Sequence, residues 1–236
     1  LEAWDWWHYS EKLRKEKYDF SEAEIKPYLS LKNIRLAAFK TAERLFEISF
    51  HKIQDHPKYH EDLEGYEVLD QNKQLIGIFF TDYFARPSKQ GGAWMTSYRD
   101  QSKNNGVVLP MIINVCNFPK PKKGEPTLLN LEHAITLFHE FGHALHGLLS
   151  NVTYPSLSGT SVPRDYVEFP SQMMENWIRS PEVLFEFATH YETGEKISEE
   201  LMSKYIASQK FNQGFATTEY LACLLYTSPS PRDGRE

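Results

Sequence analysis

Residues 136–149 read TLFHEFGHALHGLL, an apolar stretch that nevertheless carries three histidines and a glutamate. The apolar residues predict a buried helix. His139 and His143 are four apart, so on a helix both rings project from one face, about 6 Å apart along the axis. Two imidazoles placed this way reach one tetrahedral metal ion at about 2.1 Å each. Glu140 is turned by about 100° from His139, so it flanks the ion rather than ligating it and can hold a water. This is the HExxH arrangement. Burying two imidazoles and a carboxylate without partners costs several kcal/mol, and a divalent cation removes that cost. His146 shares the face of His139 but lies about 10.5 Å further along the axis, so one ion cannot take both. It is expected to pack beside the ligands or support them.

Working outward, Asn130 is placed to cap this helix, with Glu132 in its first turn, and the helix is expected over 131–149. Upstream, FPKPKKGEPT (118–127) is a Pro/Lys/Gly loop. Before it, GYEVLD, QLIGIFFTDYFA and VVLPMIINVCNF are short, β-branched and aromatic, and predict a small β-meander over 66–117. A sheet edge within 75–84 or 107–117 would suit an extended peptide. Residues 1–60 read as helical. Trp4, Trp7, Tyr9, Leu13 and Tyr18 are expected in the core, Ser21 and Glu24 fit a capping box, and Pro27 interrupts. A helix is expected over 31–50, with Ile34, Ala37, Ala38, Leu45 and Ile48 as its apolar stripe.

Downstream, DYVEFPSQMMENWIRS predicts a second helix over 165–180, provided Pro170 lies in its first turn or kinks it. Further helical pattern covers 182–190 and 198–211, and TTEYLACLL begins another helix. Residues 224–236 then abandon every pattern and are expected to be a disordered or non-native tail. The fold class is thus mainly α with a small β-sheet.

The 236 residues are 41% hydrophobic and 25% charged, ordinary for a soluble globular chain, with a net charge of −6. No basic face stands out, which argues against nucleic acid. The longest apolar runs are far short of a membrane span. Cys116 and Cys223 make no disulfide framework and are expected to be buried thiols.

A catalytic zinc needs a third protein ligand beside an open position. On residue spacing alone, Asp165, Glu168 and Glu175 all qualify. Glu168, Gln172 and Glu175 would share one helical face. The longer metzincin pattern does not apply, because it needs Gly at 146 and His at 149, where this chain has His146 and Leu149.

FHEFGHALHGLLS followed by SGTSVPRDYVEFPSQMMENW resembles the signature of the M3 zinc peptidases, as do GGAWMTSYRDQ and FNQGFATTEYLA. The resemblance covers residues 1–223, and PRDYVEFPSQ most resembles the peptidyl-dipeptidase branch. It implies a partial zincin-like metallopeptidase catalytic domain, with a small sheet beside the HExxH helix. It implies one zinc per chain on His139, His143 and Glu168, with Glu140 as the base. The implied reaction is hydrolysis of short peptides with release of C-terminal dipeptides. An endo-acting oligopeptidase, or a zinc- or peptide-binding fragment without turnover, is the alternative. The SGTSVPRD loop is expected to border the cleft, with Gly159 permitting motion. The family pattern places a larger helical region before this chain, and an oxyanion-stabilising Tyr, Gly and His segment after it. Gln172 stands where other Glu-zincins carry an Asp that orients a ligand His. The expected partner is a short peptide, with a monomer as the assembly, and the expected compartment is the cytoplasm or alternatively the periplasm.

Overall fold

The computed structural model describes residue 2, residues 4–122 and residues 124–227. The chain divides into two compact units, Ile25–Ile197 and a second formed by Leu1–Glu24 with Ser198–Glu236. In chain order the helices are α1 (Asp5–Tyr18), α2 (Glu22–Ile25), α3 (Leu31–Phe46), α4 (Leu131–Leu148), α5 (Phe169–Arg179), α6 (Pro181–Phe187), α7 (Glu199–Ser208) and α8 (Gln213–Thr227). The strands are β1 (Ser49–Lys52), β2 (Glu64–Leu69), β3 (Leu75–Phe84), β4 (Trp94–Arg99) and β5 (Met111–Phe118). No described helix is long and apolar enough to cross a membrane.

The strands form one sheet in the order β1-β2-β3-β5-β4. Only β3 and β5 run parallel; the other neighbours are antiparallel. The expected meander is therefore a mixed sheet. Alternation of apolar residues reports which face a strand buries and says nothing about its neighbour or its direction. Residues 75–84 and most of 107–117 lie in interior strands, so neither offers a free edge. The edge next to β5 is β4, where the sequence pattern predicts a loop.

α3 and α4 cover one face of this sheet. Phe39 of α3, Phe50 of β1, Phe79 of β3 and Phe141 of α4 meet with ring centroids 4.2–6.2 Å apart. Full burial of each such ring is worth roughly 2–3 kcal/mol. The opposite face carries Leu63, Phe80, Ile113 and Val115. α4 runs antiparallel along β5. Gly147 sits against Ile112, where a Cβ would lie 2.7 Å from Cδ1, and the His133 ring is 5.1 Å from that of Phe118.

Local signals fix the helix starts. Asn130 Oδ1 accepts the His133 amide at 2.7 Å, and Ser30 caps α3 through Asn33. The Ser21 amide donates to Glu24 at 3.0 Å, as a capping box requires. α3 ends at Phe46, not 50, because Glu47 turns left-handed (φ 55°) and closes on Glu43 O. The chain then enters β1, so the helical reading of 1–60 fails beyond residue 46. Ile34, Ala37, Ala38 and Ile48 are buried, but Leu45 is exposed. α5 begins at Phe169 rather than 165, with Pro170 in its first turn. The other predicted helices shorten to α6 and α7.

The second unit departs furthest from expectation. Trp4, Trp7, Tyr9 and Leu13 are exposed. Their spacing spreads them around α1 and makes no stripe, so no one partner face can cover them. Within that unit Trp6 stacks on Phe215 at 4.2 Å, and Lys204 pairs with Asp19 at 2.7 Å. Cys116 is buried as expected, whereas Cys223 on α8 is exposed. Residues 224–227 of the expected tail continue α8, and residues 228–236 lie outside the described residues.

Candidate metal centre

α4 presents His139 and His143 on one face, their ring centroids 4.9 Å apart. Both Nε2 atoms lie 3.2 Å from the same oxygen, Oε2 of Glu168. The three ligand atoms fall within 4.8 Å of one another. Tetrahedral ligands about 2.1 Å from one ion stand roughly 3.4 Å apart, so this triangle has the size a zinc ion needs. Two imidazoles and one carboxylate are also a donor set that catalytic zinc uses.

Glu168 reaches this point because Gly142 lets α5 approach. A Cβ on Gly142 would lie 2.6 Å from both Pro170 O and Ser171 Cα, which the backbone cannot accommodate. The glycine inside HEFGH thus sets the spacing between the two elements that carry the ligands. Glu168 itself has helical dihedrals at the N-cap of α5 (φ −82°, ψ −6°). Its Oε2 accepts the Ser171 hydroxyl at 2.9 Å. Burial pushes its carboxyl up, but Ser171 and the two imidazoles outweigh that and hold it below the usual range.

Of the three carboxylates that spacing left open, Asp165 takes no part in the group, Glu168 closes it and Glu175 does something else. Glu175 Oε1 lies 2.8 Å from His139 Nδ1, while its Oε2 accepts from Arg179 at 2.9 Å. An imidazole held at Nδ1 by a carboxylate presents an unprotonated Nε2 to a metal. Gln172 offers no such carboxylate; Glu175 supplies it about one turn further along α5.

Glu140 is buried, and desolvation raises its carboxyl to about 7 in the metal-free protein. It lines a cleft of about 430 Å³ with Ala93, Trp94, Met95, His139, His143, Thr160, Val167 and Glu168. The 158–165 loop therefore borders the cleft, as expected, through Thr160. Gly159 has a different reason from motion: it is left-handed (φ +52°), and a Cβ there would lie 3.0 Å from Gly147 Cα. His146 stands away from the ligands. It lines a separate apolar cavity of about 540 Å³ and meets the Tyr166 ring at 6.3 Å. Burial lowers its pKa.

Ala93 with the β4 residues Trp94 and Met95, and the placement of Glu175 behind His139 rather than among the ligand atoms, are the site features that residue spacing does not give. The first could have been found from TrpMetThrSerTyr after Gly91–Gly92, and the second only from the packing of α5.

Comparison with known proteins gives the family. "Dipeptidyl carboxypeptidase" of Escherichia coli (strain K12) is 45% identical over 225 residues, which are 95% of this chain and 33% of that protein. "Oligopeptidase A" of the same organism is 38% identical over 214 residues, 89% of this chain and 32% of that protein. "Organellar oligopeptidase A, chloroplastic/mitochondrial" of Arabidopsis thaliana is 38% identical over 219 residues, 89% and 28%. The chain spans about a third of the length of the curated relatives it matches. Peptidase family M3 matches residues 1–223, and the chain belongs to that family.

Proposed function

We propose that this chain carries the metal centre and general base of a zinc-dependent peptidase with a zincin-like catalytic domain. Its reaction is the hydrolysis of short peptides with release of C-terminal dipeptides. The observation that carries this reading is the convergence of His139 Nε2, His143 Nε2 and Glu168 Oε2 beside the buried carboxylate of Glu140. His139, His143 and Glu168 would hold one zinc ion per chain. Zinc, when bound, supplies a Lewis acid that polarises the scissile carbonyl and acidifies water.

The remaining chemistry falls to the chain's own groups. Glu140 takes a proton from the attacking water and delivers it to the leaving amine. Glu175 holds His139 in the tautomer that leaves Nε2 free. The outer edge of β4 runs along the cleft through Trp94 and Met95, and pairs with an extended peptide backbone.

An endo-acting oligopeptidase is the second reading, supported by the 38% identity to oligopeptidase A. Mass spectrometry of mixed short peptides incubated with the zinc-loaded chain separates the two. Dipeptides from C-termini, lost in Glu140→Gln, support the first reading, and internal cuts support the second. Absence of products, with one zinc per chain that Glu168→Ala removes, leaves a metal-binding fragment without turnover. Absence of bound zinc overturns the metal centre itself.

A further inference from the structure

β5 carries a polar side chain where the fold alone would place an apolar one. Asn114 is fully buried, and neither Oδ1 nor Nδ2 has a hydrogen-bond partner. It sits on the face of the sheet that α4 covers, between Ile112 and Cys116. Because α4 runs antiparallel along β5, with Gly147 at Ile112 and His133 at Phe118, the segment opposite Asn114 is the one around Glu140–Ala144. The neighbour of Asn114 across the β4 pairing is Met95, which lines the metal cleft together with Glu140.

Glu140 has the complementary defect. Its side chain lines the cleft, yet Oε2 is buried without a partner. One carboxylate oxygen therefore serves the cleft and the other points into the packed interface. An amide that can donate and a carboxylate oxygen that must accept thus lie on two elements packed against each other, each without a partner of its own. The field of Glu140 also reaches Cys116, the next residue on that face of β5, and adds to the burial that raises its thiol pKa.

We propose that Asn114 is a positioning residue for Glu140: its side-chain amide holds the buried carboxylate oxygen, directly or across one enclosed water, and so fixes the rotation of the carboxylate in the cleft. The role rests on the reading of Glu140 as the base, but the contact itself does not depend on zinc. A buried asparagine at this position contributes nothing to the apolar packing of α4 on the sheet, and leaving an amide unpaired there opposes folding. Its contribution is the orientation of a reacting group.

The test is the side-chain amide resonance pair of Asn114 in the ¹⁵N-labelled, metal-free chain. Asn114→Leu identifies the pair by its disappearance, and Asn114→Ser does the same if the leucine variant fails to fold. The expected result is that Glu140→Gln shifts this pair while Glu175→Gln leaves it in place. A pair unmoved by Glu140→Gln overturns the proposal. The leucine variant is further expected to keep the zinc content of the parent chain and a melting temperature at or above it. A lower melting temperature with an unmoved pair assigns Asn114 to the fold alone. Zinc content of the parent chain, measured separately, tests the metal centre, so failure of that reading is distinguishable from failure of this contact.

Discussion

His139 Nδ1 and Glu175 Oε1 stand 2.8 Å apart, so the first histidine of HExxH is oriented by a carboxylate seven residues beyond the one that closes the metal triangle. With Nδ1–H donated to Glu175, Nε2 is the nitrogen left to a metal. Glu175→Ala is expected to lower zinc affinity about 10- to 100-fold. Glu175→Gln, which keeps an acceptor oxygen, should lose less. Titration against a competing chelator measures both, and equal affinity in all three proteins refutes the role.

Gly142 is expected to tolerate no side chain. The Cβ of Gly142→Ala would overlap Pro170 O and Ser171 Cα, both backbone atoms. Forcing α5 away costs about 1–3 kcal/mol, and it also withdraws Glu168 from the two histidines. The variant should therefore melt at a lower temperature and bind less zinc. A lower melting temperature with zinc binding intact would show that α5 moves without carrying Glu168.

Glu140 should withdraw stability from the metal-free protein as pH rises from about 4.5 to 7, against the opposite effect of His133, His143 and His146, whose pKa values burial lowers. Burial raises the Glu140 pKa from 4.5 to about 7. Between those values the folded chain holds a proton that the unfolded chain has released, so each step up in pH favours unfolding. The full effect is on the order of 3 kcal/mol. Glu140→Gln should remove this falling component, so that the variant gains stability relative to the parent chain as pH rises through the window, as followed by thermal unfolding at a series of pH values.

Asp82 should act with the opposite sign. It is 1% exposed and accepts from Tyr59, Arg86 and Lys89. Burial pushes its pKa up, but these donors outweigh it and bring it to about 2. The stability it contributes is complete above the unfolded value of about 3.9 and is lost as pH falls toward 2. Asp82→Ala leaves Arg86 and Lys89 without their counter-charge in a site where Lys89 is 5% exposed. The expected loss is about 3–5 kcal/mol, read by denaturant unfolding.

The spacing of His139, Glu140 and His143 was enough to place a helix with two histidines on one face, because helical geometry is local and α4 follows it from Leu131 to Leu148. Asn130, Ser21 and Glu24 were legible for the same reason: a cap is decided within one turn. The β-branched runs marked β2, β3 and β5, but β1 and β4 were missed. β1 is four residues long and continues the apolar spacing of α3, so Ile48 satisfied a helical stripe while it was buried for another reason.

What tertiary structure alone decided depends on residues far apart in the chain. The parallel pairing of β3 with β5 put β4 at the sheet edge beside the cleft, and no periodicity in either strand records that choice. The close approach at Gly142 separated three equivalent carboxylates into Glu168 beside both histidines, Glu175 behind His139 and Asp165 outside the group. The residue types and their local spacing thus determined which groups are available for the proposed chemistry. Packing of α5 on α4, and of α4 on the sheet, determined which atom performs each part, because a side chain's role is set by what stands within about 3 Å of it.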